Sequence, residues 1–520
     1  MVMLDHQPWR QAAEFHRRGD WGSDTFPGLL RAAAERLGDR VAYVEEESRI
    51  TWSGLLGAAS GLARDLQDRG VRVSEVVVVV LQDGPEIVAA TAAVHGIGAV
   101  IAPLSHSAGP EEIASVVSRT RARVVLTDRP LEDSISADVV MLGPVRTWEP
   151  GPAEFPPTGV ELSADDVADI LFTSGTTGRP KGVMNTSNTK LAGVRGFLAE
   201  HPLSDADVVG ALPPMSHNAG WLYTVVPAVA AGATLVGVGR GDPVQMLDRM
   251  ERHHVTVAFM VPTHMQDLVT TYRQHPGRWD LDLRLIVTGA APSQDEIVRA
   301  AVSDWGVTVV SMYGMTECQG LTFTRAEDSV DLMAGTVGRV CPGATLRLVD
   351  PETGQVVTEE GVVGELVTAG PLNFVGYFED ETATGSALSR DGWLSTGDLG
   401  QWHEGSVKIV GRRKEVILRG GLTLSPDDIE QAFAEVPGVG EVVVVGMPDP
   451  RLGERVCLAV TGRVPSREEL GAHLETQGWG RQLLPDDIRP LTDLPRTDLG
   501  KLKRTAVRAM LLDSAAPGAG

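Results

Sequence analysis

The apolar run 167–172, Val-Ala-Asp-Ile-Leu-Phe, empties into Thr173-Ser174-Gly175-Thr176-Thr177-Gly178-Arg179-Pro180-Lys181-Gly182. A buried strand that ends in a loop of glycines and hydroxyls fits a layered α/β fold, where ligands sit at strand ends. Glycines let backbone N–H groups approach a ligand, the hydroxyls add donors, and Lys181 adds a compact charge, so the loop suits a polyphosphate. Lysine is scarce: six, at 181, 190, 408, 414, 501 and 503, among 46 basic residues. A chain that writes arginine almost everywhere keeps lysine at 181, where a point charge serves and a planar fork does not fit. The loop fails the Walker spacing. Counting from Gly175, Pro180 takes the second glycine position, Gly182 follows the lysine, and Val183 replaces the magnesium-binding hydroxyl. Beyond the loop, Ser187 is expected to cap a helix through Lys190, Leu191 and Val194.

At 520 residues the chain is expected to hold more than one domain. A formal net charge of −23 argues against general nucleic-acid binding, which needs a basic footprint. Cys318, Cys341 and Cys457 fit neither a metal spacing nor a disulfide framework, so a reducing cytoplasm is the expected setting. The N-terminus lacks the basic and apolar regions of a signal peptide. The apolar run 76–81 is too short to span a bilayer, so no membrane insertion is expected. The small-residue tail 514–520 is expected to lack fixed structure.

Helical periodicity over 29–37 and 55–66 alternates with buried strand patterns over 76–81 and 124–127. The rhythm resumes with strands at 208–212, 255–260, 283–288 and 307–311 and helices at 243–253 and 295–304, which implies parallel βαβ units. From about residue 335, short alternating segments such as 344–349 and 364–368 read as an antiparallel or barrel-like piece. Ser425-Pro426-Asp427-Asp428 reads as a capping box opening a helix to about residue 436, before a strand at 441–445 and a helix near 467–474. The expected architecture is α/β: two doubly wound subdomains plus a small β-barrel over 1–413, then a small mobile α+β domain over 414–520.

Four further segments carry chemistry. Met312-Tyr313-Gly314-Met315-Thr316-Glu317 follows a buried strand, and tyrosine occurs only five times in the chain. Its ring can stack on a base, its threonine can reach a phosphate, and its carboxylate can hold Mg²⁺. Residues 393–399 place Asp398 on a tight glycine turn that suits ribose hydroxyls. Residues 411–421 set Arg412 and Lys414 before paired glycines, Gly420 and Gly421, at a domain boundary where a hinge fits. Residues 494–503 place Lys501 on a glycine turn near the C-terminus.

Together these segments resemble the signature of the adenylate-forming superfamily, which includes acyl- and aryl-CoA synthetases, over nearly the whole chain. The resemblance implies a carboxylate attacking the α-phosphate of ATP to give an acyl-adenylate, rotation of the small domain, and transfer of the acyl group to the thiol of coenzyme A. It implies that Thr173, Ser174, Gly175, Thr176, Thr177, Gly178 and Lys181 surround the β- and γ-phosphates. It further implies that Tyr313 stacks on adenine, Thr316 contacts the α-phosphate, Glu317 binds Mg²⁺, Asp398 and Arg412 hold the ribose, Lys414 is the hinge, and Lys501 bridges carboxylate and α-phosphate.

By the same resemblance, residues 212–223 line the acid pocket. His217 gates the thiol tunnel, Asn218 reads a polar substituent, and Trp221 and Tyr223 narrow the cavity toward a ring or compact acid. Gly289 and Ala290, with Gly314 and Met315, form another wall. No aspartate in 212–223 stands ready to pair with an amino group, so an amino-acid substrate is disfavoured. Residues 9–21 resemble the opening of aryl-acid and cyclohexanecarboxylate-type ligases. The chain departs from the family at Ser187 and Asn188, where many members carry histidine, and at Trp479-Gly480-Arg481 in place of a Tyr-Lys pair. Three readings follow: an AMP-forming acid–CoA ligase, a stand-alone enzyme loading a carrier protein in trans, or an enzyme using an adenylate made by a partner. A homodimer is left open. An oxidoreductase is disfavoured because Gly237-Val238-Gly239-Arg240-Gly241 has the wrong dinucleotide spacing.

Overall fold

The computed structural model describes residues 7–515 except 47, 133–134, 152–154, 157–160, 174–179, 240, 291–294, 414–415, 420–421, 425, 435, 450, 478–482 and 497–501. Contacts divide the chain into two compact units, Met1–Leu346 with Thr368–Leu394, and Arg347–Val367 with Ser395–Gly520.

The first unit holds two large sheets. A seven-stranded sheet runs in the order Gly376–Tyr377, Lys181–Thr186, Val167–Thr173, Val100–Pro103, Val76–Val80, Val124–Thr127, Asp138–Met141. The pairs from Val167–Thr173 through Asp138–Met141 are parallel, and the first two pairs of the order are antiparallel. Parallel strands need crossover helices that cover both faces, which is why Val76–Val80 is valine throughout and buried at every position. The second sheet has nine strands, with Thr308–Met315, Leu285–Thr288, Val257–Met260 and Val208–Ala211 parallel at its centre. The main core lies between the sheets. Helices Phe26–Leu37, Trp52–Asp68 and Pro85–Gly96 pack there against Val77 and Val79 of one sheet and Val257 and Leu285 of the other.

The second unit contains most of a five-stranded sheet that includes Leu394–His403 and Ser406–Arg412. It also contains a smaller sheet built on the long antiparallel pair Val439–Asp449 and Gly453–Gly462. Successive valines serve opposite faces of that pair, as a strand period of two requires. Val444 packs with Ile429, Phe433 and Leu470, whereas Val443 and Val445 pack with Val507 and Leu511. No helix among the described residues is long and apolar enough to cross a membrane.

Most expected elements appear within a few residues of their expected bounds, and four differ. The strand Lys181–Thr186 follows the glycine loop directly and pairs back on Val167–Thr173. The helix Ser187–Glu200 is therefore capped by Thr186, not Ser187: Thr186 Oγ1 accepts from Thr189 N, and Thr189 Oγ1 accepts from Thr186 N. The strand Thr308–Met315 runs through Tyr313 and Gly314 instead of ending before them. The final helix, Arg504–Ala515, takes in Ser514 and Ala515 of the expected tail. Ser425, the expected cap of helix Pro426–Phe433, and the expected domain start at Lys414 lie outside the described residues.

Thr186 is fully buried. Thr186→Ala is expected to cost about 1 kcal/mol, and Ser187→Ala no more than a few tenths, as a typical cap loss against its absence. Thermal melting of the two variants side by side checks this, and equal shifts would count against the assignment of the cap.

Candidate active site

The glycine loop closes a hairpin. Thr173 stands opposite Lys181 and Phe172 opposite Gly182 in the antiparallel register. Ser174, Gly175, Thr176, Thr177 and Gly178 lie outside the described residues, but the pair at their two ends is fixed. The short strand Gly376–Tyr377 adds to this hairpin, with Phe378 N donating to Gly182 O at 2.7 Å. Lys181 Nζ lies 4.7 Å from the centroid of the Tyr377 ring, within cation–π range. The Tyr377 hydroxyl donates to Glu317 Oε1 at 2.8 Å, and Phe374 N donates to Glu317 O at 2.7 Å. Burial, reinforced by the Glu317 charge, raises the Tyr377 phenol well above its ordinary pKa, so the hydroxyl stays a donor. One tyrosine thus holds the loop cation and the expected metal carboxylate.

Tyr313, Gly314 and Met315 end the strand Thr308–Met315, and Thr316 and Glu317 form the turn into Gln319–Phe323. The turn is tight: a Cβ on Gly314 would come within 1.7 Å of Gln319 O, so only glycine fits. A Cβ on Gly289 would lie 2.7 Å from Met312 O, which sets Gly289 and Ala290 against the same strand end. Ala290 and Gln319 are both left-handed, at φ 69° and 56°. Non-glycine residues in that region cluster at functional sites.

In the 212–223 segment the helix begins at Asn218 and widens at Trp221–Val225 into a π-turn, where Val226 N bonds Trp221 O. Such turns are rare and recur at functional sites. His217 N donates to Pro214 O at 3.2 Å. Asn218 Nδ2 donates to Gln319 Oε1 at 2.9 Å, and Gln319 Nε2 donates to Asn185 Oδ1 at 2.8 Å. This row of amides ties the 217 region to the strand behind Lys181. Asn218 Oδ1 is buried and accepts no hydrogen bond from the described residues. Trp221 is buried with its ring centroid 4.8 Å from that of Phe26. Tyr223 is buried among Phe197 and Phe259, and its hydroxyl accepts from Gly320 N at 2.6 Å.

Asp398 and Arg412 belong to the second unit. They face each other in the register of Leu394–His403 and Ser406–Arg412, with Nε and Oδ1 3.2 Å apart. Asp398 therefore stands within a strand and not on a turn, directly after Gly397 at φ 74°. Glu365, buried beside this pair of strands, accepts from Gly397 N and Arg413. Lys414, Gly420, Gly421 and Lys501 lie outside the described residues. The three cysteines are buried, and burial pushes the Cys341 thiol up to about 12, which disfavours its thiolate.

Among the described residues no group of three or more His, Cys, Asp and Glu gathers to hold a metal. A lone carboxylate such as Glu317 fits a different arrangement, in which a magnesium ion takes one protein carboxylate and draws its other ligands from phosphates and water. Sequence reasoning missed Tyr377, Asn185 and Gln319. A Tyr in a five-tyrosine chain is the one signal available; Asn185 and Gln319 have none.

The model of the AMP-binding enzyme family matches residues 30–378, and that of the AMP-binding enzyme C-terminal domain matches residues 428–501. A (7a-methyl-1,5-dioxo-octahydro-inden-4-yl)propanoyl:CoA ligase of Mycobacterium tuberculosis is 31% identical over 94% of this chain and 99% of its own. An indoleacetate–CoA ligase of Aromatoleum aromaticum is 31% identical over 89% of this chain and 94% of its own. The crystal structure of ATP-bound MatB from Rhodopseudomonas palustris is 27% identical, covers 94% of this chain and 99% of its own, and superposes with a TM-score of 0.84.

Tyr223→Phe leaves the buried Gly320 N–H without its acceptor. It is expected to cost about 1–3 kcal/mol, the usual penalty for a stranded donor. Thermal melting measures it, and an unchanged melting temperature would mean that Gly320 N–H finds another acceptor.

Proposed function

We propose a function from one premise: the chain belongs to the AMP-binding enzyme family. It is an AMP-forming acid–CoA ligase for a cyclic, aromatic or medium-sized acid. In the first step a carboxylate oxygen attacks the α-phosphorus of ATP, the bond to pyrophosphate breaks, and an acyl-adenylate forms. In the second step the thiol of coenzyme A attacks the acyl carbon and AMP leaves.

The observation that carries this reading is the set Lys181–Tyr377–Glu317, gathered at the root of the glycine loop. Displacement at phosphorus depends on position and on neutralising charge that develops on oxygen, and both are supplied by groups fixed before the substrate arrives. Lys181 and the loop hold the departing pyrophosphate. Thr316 hydrogen-bonds the α-phosphate, Tyr313 stacks on adenine, and Asp398 and Arg412 receive the ribose. Glu317 is the residue that would hold Mg²⁺, which supplies charge neutralisation between phosphates. Lys501 stabilises the attacking carboxylate against the α-phosphate and leaves with the C-terminal domain, which turns about Lys414. His217 and Gly289 border the acid, and Asn218 Oδ1 accepts from a polar substituent on it.

A ring-bearing acid is supported by the aromatic lining at Trp221 and by the similarity to ligases named for a fused-ring propanoate and for indoleacetate. Coenzyme A is the acceptor, as those names indicate for the relatives, and three widely separated cysteines support a reducing, cytoplasmic setting. Incubation with CoA alone, followed by mass spectrometry of the thioester, distinguishes this from loading of a carrier protein.

Acid-dependent ATP–pyrophosphate exchange tests the first step. Lys501→Ala is expected to lower exchange about 10²–10³-fold, the effect of removing one preorganised charge-stabilising group, while thioester formation from supplied acyl-adenylate survives. Unchanged exchange would remove Lys501 from the chemistry.

Tyr377→Phe deletes one hydrogen bond to a charged group and is expected to raise KM for Mg²⁺-ATP about tenfold. A melting temperature unchanged from wild type, recorded alongside, would separate this effect from misfolding, and an unchanged KM would discard the tyrosine's positioning role.

A further inference from the structure

A small cavity, partly open and with room for about one water-sized group, is lined by His217 and Trp221 in the first unit. Its wall is mostly apolar, with Leu171 and Met215 among the lining, and it is polar at one place, where His95, Asp169 and Lys190 meet it. None of these three has a part in the two steps above. Lys190 is one of six lysines in the chain, and its side chain is 10% exposed. Its Nζ lies 2.6 Å from Oδ2 of Asp169, whose side chain is 1% exposed. An ammonium carries three donors, and one carboxylate oxygen uses one of them.

His95 Nε2 lies 3.0 Å from Ala168 O. A carbonyl can only accept, so Nε2 carries the proton and Nδ1 is left as an acceptor. Nδ1 is buried and has no hydrogen-bond partner among the described residues. Burial, reinforced by the Lys190 charge, pushes the imidazole down to about 3, so the ring is neutral at physiological pH. The cavity thus presents a donor and an acceptor beside an apolar wall. A hydroxyl satisfies both, since it accepts and donates at one atom. A keto oxygen or carboxylate would meet Lys190 but bring His95 no proton.

We propose that this cavity is a distal subsite of the acid pocket, and that it reads a hydroxyl on the ring of the acid: Lys190 donates to the hydroxyl oxygen and His95 Nδ1 accepts its proton. His217 and Trp221 line this cavity and belong to the segment assigned to the acid, so a ring seated at Trp221 would turn its far edge to the polar spot. The inference rests on the acid–CoA ligase reading and narrows its substrate class to hydroxylated cyclic or aromatic acids. It also gives the buried pair a reason: two charges taken out of water are costly unless their remaining valences are filled.

Pyrophosphate exchange with matched acids tests it: benzoate against 3- and 4-hydroxybenzoate, and cyclohexanecarboxylate against its 4-hydroxy derivative. The wild-type enzyme is expected to favour one hydroxylated member about tenfold or more in kcat/KM, the worth of a hydrogen bond to a charged group. That ratio is expected to fall toward one in His95→Phe and in the charge-neutral double variant Asp169→Asn, Lys190→Met. Thermal melting shows which variants are folded, and either one suffices. A wild-type ratio near one for every pair, or a ratio unmoved in a folded variant, overturns the subsite while the ligase reading stands. Absence of exchange with every acid overturns the ligase reading and the subsite with it.

Discussion

The antiparallel register between Val167–Thr173 and Lys181–Thr186 is the constraint on which the candidate site depends. Side chains alternate between sheet faces, so a slip of one residue would turn Lys181 to the face now held by Gly182. That face has no room for it. A Cβ on Gly182 would already lie 2.8 Å from the Ile170 side chain and 3.1 Å from that of Phe378. The glycine is therefore a register lock, and the lock fixes where the loop begins and ends. The third strand, Gly376–Tyr377, is aligned by the same register and brings Tyr377 under the lysine. Glu317, from the other sheet, is then placed by one hydroxyl and one backbone N–H.

Around this lock the backbone gives up regularity where the site residues converge. Ala290 and Gln319 are left-handed, Gly314 admits a carbonyl that no side chain would allow, and the helix after His217 widens at Trp221. Each departure costs free energy locally, of order 1–3 kcal/mol for a left-handed residue. They persist because the parallel sheets on either side are buried on both faces and leave the connecting turns little freedom.

The sequence was informative where one physical signal dominated. The all-valine strand Val76–Val80 and the amphipathic helices Phe26–Leu37 and Pro243–Arg252 stand close to where their periodicity puts them. It misled where tertiary pairing overrode local preference. Lys181-Gly182-Val183-Met184-Asn185-Thr186 has poor strand propensity and no alternation, yet it is a strand because Val167–Thr173 and Gly376–Tyr377 flank it. Asp398 after Gly397 reads as a turn, and only its long pairing partner Ser406–Arg412 makes it part of a strand. Of the site, the residues with motif chemistry were legible. The side chains that hold them, Tyr377, Asn185 and Gln319, were not, because each acts through a partner far away in sequence.

The first unit buries polar groups in two contrasting ways. The amides Asn185, Gln319 and Asn218 are uncharged, so burying them costs little once each joint of the row is bonded, and they serve to hold two segments in place. Asp169 and Lys190 do a similar joining of strand to helix with full charges, at a far larger desolvation penalty. Burial acts against the carboxylate strongly enough to raise its pKa even with the ammonium beside it. Aliphatic residues would fill the same volume more stably. Ions kept there, next to an imidazole acceptor with no partner among the described residues and at the edge of a cavity, suit the proposed reading of a polar group from outside the chain.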